Sequence, residues 1–215
     1  MLRGERVSLA RRSESHSVAS RRRHIVGGYF ADMVIVVVLL TVFMTMLVEA
    51  LVSRAHERTL RAAGAIEPAD DVYPLMRVVY PACFALMGAD ALLRDTQGAL
   101  LVPGIVMFVL AKTLKWWAIA SLADRWSFRV LVLPGMALVN TGPYRFLRHP
   151  NYLAIVGELA GVSLMLGVFW TGTLACLAFG PLIWMRIRIE EAALGLGGDR
   201  KDGRDGKDGK DREDR

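Results

Sequence analysis

The run Thr141-Gly-Pro-Tyr-Arg-Phe-Leu-Arg-His-Pro-Asn-Tyr-Leu153 gathers arginines, a histidine, tyrosines, an asparagine and prolines at the start of an apolar stretch. Such groups at the edge of a membrane segment are costly to bury unless each finds a partner, so their density marks a binding site. Pro150 suits the first turn of a helix, where its missing N–H costs little. That helix would aim its unpaired N–H groups and the positive end of its dipole at whatever lies beside His149, which makes a carboxylate the expected guest. The competing reading takes Arg145 and Arg148 as orientation anchors and His149 as a residue that opens a helix. A second charged run, Arg186-Ile-Arg-Ile-Glu-Glu191, closes the last apolar stretch and favours the binding site. It returns alternating charges to the same side of the membrane. An ion pair of Arg148 with Glu190 or Glu191 then locks the halves of a pocket, with Glu158 inside the fourth span competing for Arg148. The glutamates otherwise read as a solvated helix end.

The elements that must hold these residues are membrane helices. Of 215 residues 53% are hydrophobic, and the charged ones collect in the first 25 residues, the connections and the last 20. A net charge of +6 is compatible with nucleic acid, but the basic residues flank apolar spans, where they set membrane orientation. No nucleic-acid partner is expected. Apolar runs at 29–52, 74–93, 99–122, 152–168 and 170–185 predict an all-α integral membrane fold of about five transmembrane helices. The break near Gly167 makes the last two a helical hairpin. Lys112 and Lys115, beside Trp116 and Trp117, read as residues that snorkel to an interface. Asp90 reads as buried in the second span. The stretch 123–150 alternates around Pro134-Gly135 as a small β-hairpin would. Cys83 and Cys176 lie in apolar segments and resemble small buried hydrophobes.

Three parts are expected along the chain: a flexible basic tail over 1–27, a membrane domain over 28–194, and a disordered charged tail over 195–215. The aspartates of the last part lack the bidentate acid that closes a calcium loop, so no metal is expected. Near-membrane basic residues favour the side holding Arg54, Arg58, Arg61, Arg125, Arg129, Arg145, Arg148, Arg186 and Arg188 as cytoplasmic. The arginine-rich head then lies outside.

The run GPYRFLRHPNYLAIVGE, followed in the last span by RIRIEEAAL, resembles the isoprenylcysteine carboxyl methyltransferase family, recognised by Arg-His-Pro-x-Tyr and a later Glu-Glu pair. Upstream, HERTLRAAGAIEP, VYPLMRVVYPACF and KWWAIASLADRWSFRVLVLPG are similar to its bacterial branch, including members that methylate alkylpyrones beside type III polyketide synthases. The resemblance covers about residues 50–194 and implies a five-helix membrane core in a bacterial inner membrane; with the orientation set by the basic residues above, its cofactor site faces the cytoplasm. S-adenosylmethionine, whose carboxylate suits the helix start at His149, is the implied cofactor. By position its site includes Tyr144, Arg148, His149, Pro150, Tyr152, Glu190 and Glu191. The implied partner is a lipid-like acceptor that enters sideways from the membrane lipids. One departure stands out: relatives continue past the Glu-Glu pair with an aromatic stretch that covers the cofactor, whereas Gly195 here begins a glycine and charge repeat.

The implied chemistry asks for alignment more than for acid or base. A sulfonium methyl is already activated, and a carboxylic acid or acidic hydroxyl is largely ionised near neutral pH. The work is to align oxygen, methyl and sulfur in a water-poor pocket. Arg186 or Arg188 is the candidate to position the acceptor oxygen. Two alternatives remain at this stage: an NADPH-dependent sterol or isoprenoid reductase, which shares a similar membrane half, and a non-catalytic membrane relative with an altered tail.

Overall fold

The computed structural model describes residues 2–94 and 100–195, with side chains from Gly28 onward. The described residues are all-α, with helices α1 (Leu2–Ala62), α2 (Tyr73–Arg94), α3 (Leu101–Leu122), α4 (Pro150–Leu166) and α5 (Phe169–Ala193). The backbone of α1 is helical through the stretch where composition points to a flexible tail, and the expected C-terminal tail from 196 on lies outside the described residues. Gly28–Ala62, α2, Leu101–Arg125 and α5 are each long and apolar enough to cross a membrane. At 17 residues α4 is roughly 25 Å long, the short end of the spanning range.

Local sequence sets the helix ends that matter for the site. Ala65 N–H closes the end of α1 by donating to Leu60 O at 2.9 Å, with Gly64 at φ 87° making the turn. Asp71 opens α2: its Oδ1 accepts the Tyr73 N–H at 2.9 Å, and Pro74 follows in the first turn. Gly167, at φ 70°, ends α4 in the left-handed conformation, and α5 begins two residues later, which makes the expected hairpin.

Packing is tightest between α3 and α4. A Cβ on Gly104 would stand 2.6 Å from the Met165 backbone nitrogen, and one on Gly161 2.9 Å from that of Phe108. Lipid tails offer helices no hydrophobic reason to associate, so close backbone approach through small residues is how such a seam gains van der Waals contact. Val42, Phe84, Met87, Leu159, Val162 and Phe179 fill the centre of the bundle. Leu40, Met44, Leu47 and Leu51 of α1 stay exposed on its outer face, the surface a bilayer would cover.

The segment 123–149 does not form the expected β-hairpin. Val132 instead exchanges both backbone hydrogen bonds with Ile66, at 2.9 and 3.0 Å, as an isolated antiparallel bridge. A lone two-stranded hairpin is marginal in water, whereas docking on the end of α1 buries Trp126 and Val130. Ser53 Oγ accepts the Phe128 N–H at 2.8 Å, and His56 Nδ1 meets Trp126 O at 2.9 Å. The ends of α1 and α5 and the starts of α2 and α4 are thereby drawn to one face.

Two other expectations fail. Lys112 and Lys115 do not snorkel; they are buried, because Glu49 and Glu158 stand opposite them inside the bundle. Asp90 is only partly buried, holding Arg94 at 2.6 Å and Thr171 at 2.5 Å. Both cysteines are free thiols, Cys83 buried and Cys176 half-buried.

Candidate functional site

His149 precedes Pro150 at the start of α4 and places no side-chain hydrogen bond on the first N–H groups of that helix. Tyr152 N–H and Leu153 N–H reach back to His149 O at 3.2 and 3.5 Å and Pro150 has none, which leaves the Asn151 N–H as the donor open to a ligand. Tyr152, in the first turn, turns inward, and its hydroxyl donates to Glu190 Oε2 of α5 at 2.8 Å. Arg186, one turn earlier on α5, donates from Nε to the Tyr152 oxygen at 3.3 Å, from Nη2 to Phe128 O at 2.5 Å, and from Nη1 to Asp71 Oδ1. All three guanidinium nitrogens thus already serve the protein. His149 faces both glutamates, Nε2 at 3.4 Å from Glu191 and Nδ1 at 3.8 Å from Glu190.

These groups border one cavity of about 650 Å³, which residues of the 123–149 segment also line. Tyr144, Arg148, His149, Pro150, Tyr152, Arg186 and Glu190 all line it, so most of the residues singled out in the sequence converge. Glu191 reaches it only through His149, and Arg188 is exposed, stacked 5.2 Å over Trp184. The expected Arg148 pair with Glu190 or Glu191 does not form. Arg148 precedes the helix and points to the exposed rim, so His149 and Tyr152 take the glutamates instead. Burial, with the charge of Glu190 nearby, pushes the Tyr144 phenol above its usual range and keeps it neutral. Asn151 also lines the cavity, and its buried Oδ1 has no hydrogen-bond partner among the described residues.

The deep end of the cavity carries a second charged group that the sequence reading missed. Lys112 Nζ lies 2.7 Å from Glu49 Oε1 and 2.9 Å from Glu158 Oε2; Lys115 Nζ lies 2.8 Å from Glu49 Oε2 and 3.2 Å from Glu158 Oε1. Tyr80 donates its hydroxyl to Glu158 Oε2 at 2.7 Å. Two carboxylates and two ammonium groups, exposed by 8% at most, make a neutral quartet between α1, α3 and α4. Its signal was present in charged residues of both signs inside apolar spans, where pairing is the rule. Glu158 thus has its partners in the lysines and not in Arg148.

A third cluster holds the cover in place. Arg129 reaches Glu67 at 2.5 Å and Glu57 at 3.6 Å, and Arg61 also pairs with Glu67. Burial pushes the Glu67 carboxyl up, but hydrogen bonds from Arg129 and Arg61 more than reverse this, so it titrates below the usual glutamate range.

Fold and site define a polytopic membrane protein with a cavity at one membrane face, walled by the start of one helix and the charged end of the next. Residues 104–195 match the isoprenylcysteine carboxyl methyltransferase (ICMT) family. Among its relatives is the uncharacterised protein YpbQ of Bacillus subtilis (strain 168), 32% identical over 147 residues, which are 68% of this chain and 88% of that protein. Another, an uncharacterised protein of Haemophilus influenzae (strain ATCC 51907 / DSM 11121 / KW20 / Rd), is 25% identical over 146 residues, 66% of this chain and 84% of the relative. No solved structure matches the chain. The chain belongs to the isoprenylcysteine carboxyl methyltransferase family, and is an integral membrane protein of that methyltransferase family.

Proposed function

We propose that the protein transfers a methyl group from S-adenosylmethionine to an oxygen of a lipid-like acceptor, with its site on the cytoplasmic face of a bacterial inner membrane. The observation that carries this reading is the convergence of His149, Tyr152 and Glu190 on one cavity in a chain of a methyltransferase family. The donors present suit the cofactor. An uncapped helix start fits a carboxylate, Glu190 fits an ammonium or hydroxyl group, and the orphaned Asn151 Oδ1 fits an N–H or O–H donor. Tyr144, Arg148, His149, Asn151, Tyr152 and Glu190 would hold it, and when bound it supplies an activated sulfonium methyl group.

The chain's own residues then orient and exclude. Arg186, fixed by Asp71 and Phe128 O, acts first as a positioning residue for Tyr152. Tyr152 in turn sets the Glu190 carboxylate at the cavity wall. Met76, Ile155 and Phe179 form an apolar wall that keeps water from an attacking oxygen. Arg188 is exposed, stacked over Trp184, and does not line the cavity, which leaves Arg186 as the arginine of this pair that serves it.

The test uses purified full-length protein in nanodiscs. Adenosylhomocysteine at about 100 times its Kd should raise stability by about 2.7 kcal/mol, read as a higher thermal midpoint, while NADPH leaves the midpoint unchanged. A shift with NADPH alone would move the chain to reductase chemistry. Labelled S-adenosylmethionine with a lipid extract then identifies the acceptor.

A further inference from the structure

Arg186 and Glu190 stand four residues apart on α5, the spacing at which opposite charges on a helix are neighbours and attract. Here they do not pair. Arg186 is drawn instead to Asp71, the residue that opens α2, and the two side chains are exposed by only 6% and 5%. Asp71 is fully engaged: Oδ1 accepts the Tyr73 N–H at 2.9 Å as well as Arg186 Nη1, and Oδ2 accepts the Val130 N–H at 3.2 Å. The 123–149 cover also receives the other partner, since Arg186 Nη2 donates to Phe128 O at 2.5 Å. Two backbone groups of the cover thus clasp the ion pair. Only Nε is left for Tyr152, whose oxygen it meets at 3.3 Å. Glu190 then has the Tyr152 hydroxyl at 2.8 Å and His149 Nδ1 at 3.8 Å, with no arginine or lysine of the described residues in ion-pair range.

We propose that Asp71 is a positioning residue for the cofactor wall: by holding Arg186 it keeps the guanidinium off Glu190 and leaves that carboxylate free for a ligand. This rests on the methyl-transfer reading and deepens it, naming a residue that does not itself line the cavity and acts through one that does. A buried guanidinium without a counter-charge is costly, so once the Asp71 charge is removed Arg186 turns to the carboxylate one helical turn away. Glu190 is already joined to it through the Tyr152 oxygen. The new pair neutralises Glu190, and a ligand's ammonium or hydroxyl group must then break a charge-assisted contact to enter. Arg186 therefore has two parts. Held by Asp71 it steadies Tyr152; released, it competes with the ligand. The two tasks of Asp71 are separable in the same way, because capping α2 needs only an oxygen, which asparagine or serine supplies, whereas holding Arg186 needs the charge.

The experiment measures adenosylhomocysteine affinity in the full-length protein in nanodiscs. Asp71→Asn, which keeps the cap and drops the charge, should weaken binding about tenfold, as far as Glu190→Gln does. Adding Arg186→Gln to it should restore affinity to within about threefold of wild type. The competitor for Glu190 is then gone, while glutamine places its amide nitrogen where arginine has Nε and still offers Tyr152 a donor. A residue that only held the fold together would give the opposite order, with the double variant binding no better than Asp71→Asn. That order, or unchanged affinity in Asp71→Asn, overturns the proposal. A second arm needs no ligand: in a double-mutant cycle on the thermal midpoint, Arg186→Gln and Glu190→Gln should be more strongly coupled in the Asp71→Asn background than in the wild type, and equal or weaker coupling overturns it too. Should Asp71→Asn not fold, Asp71→Ser takes its place in both arms. If the wild-type protein fails to bind adenosylhomocysteine, the methyl-transfer reading falls, and the ligand-free arm still decides whether Asp71 keeps Arg186 from Glu190.

Discussion

Two charged centres border one cavity, and they are built on opposite principles. At the membrane face, Tyr152, Arg186, Glu190 and His149 form a chain whose members are held by different elements, with one side left open. Deeper in, Glu49, Lys112, Lys115 and Glu158 form a closed ring in which each charge has two opposite neighbours. The open chain can trade a protein contact for a ligand contact at little cost, because water and backbone lie close by. The closed ring cannot, since any member removed strands another in a medium that solvates charge poorly. A polar group that binds and a polar group that holds the fold together are told apart here by whether their partners are complete.

The contrast is broken most strongly by a single cut in the ring. Glu49→Ala should cost about 3–5 kcal/mol, because two ammonium groups are left with one carboxylate. Glu49→Met together with Lys115→Met should cost clearly less than the sum of the single changes, as measured by denaturant titration in micelles. Additive losses would mean that water enters and solvates the ring.

At the face the expected effects are on binding. Tyr152→Phe and Glu190→Gln should each weaken adenosylhomocysteine binding about tenfold, or about 1.4 kcal/mol, and the double variant should fall short of additivity. Arg148→Ala with Glu190→Gln should instead be additive within about 0.5 kcal/mol, since the two residues do not touch. Coupling between Arg148 and Glu190 in that cycle would show that the rim folds inward around its ligand.

The smallest effect belongs to the cover. The pKa of Glu67 is lower folded than unfolded, so its pairing with Arg129 and Arg61 stabilises the protein above the unfolded value of about 4.3, and that stability is lost as pH falls through the folded value. The thermal midpoint should fall on acidification below about pH 4, and Glu67→Gln should flatten part of that fall. An unchanged profile in Glu67→Gln would place the acid sensitivity elsewhere.

Much of the fold was legible because long apolar runs bounded by charge leave a membrane helix few alternatives. The second span, expected at 74–93, is Tyr73–Arg94. The last ran further than hydropathy suggested, to Ala193, because its charged final turns keep the helical repeat and carry Arg186 and Glu190 to the cavity. The motif residues from Tyr144 to Tyr152 were legible from density alone, but their partners were not. Arg148 lies outside the helix, so no periodicity gives its direction, and His149 took the pairing assigned to it. Asp71, in a polar connection, gave no sign that it would hold both the start of α2 and Arg186. The quartet was hidden by chemistry that reads two ways: a lysine in the last turns of an apolar span suits an interface as well as a buried partner, and only the third dimension chooses.

The turn at Gly167 has a consequence for how the protein is made. Tyr152 and Glu190 sit on helices joined by two residues, too few to cross back outside the bilayer as a separate loop. So short a turn favours insertion of α4 and α5 as a pair, after α1 to α3 in chain order. The lysines of α3 must therefore wait for Glu158, with only Glu49 to neutralise them in the meantime. A chain that stops before α4 holds two lysines against the single carboxylate of Glu49, an imbalance that Glu158 removes.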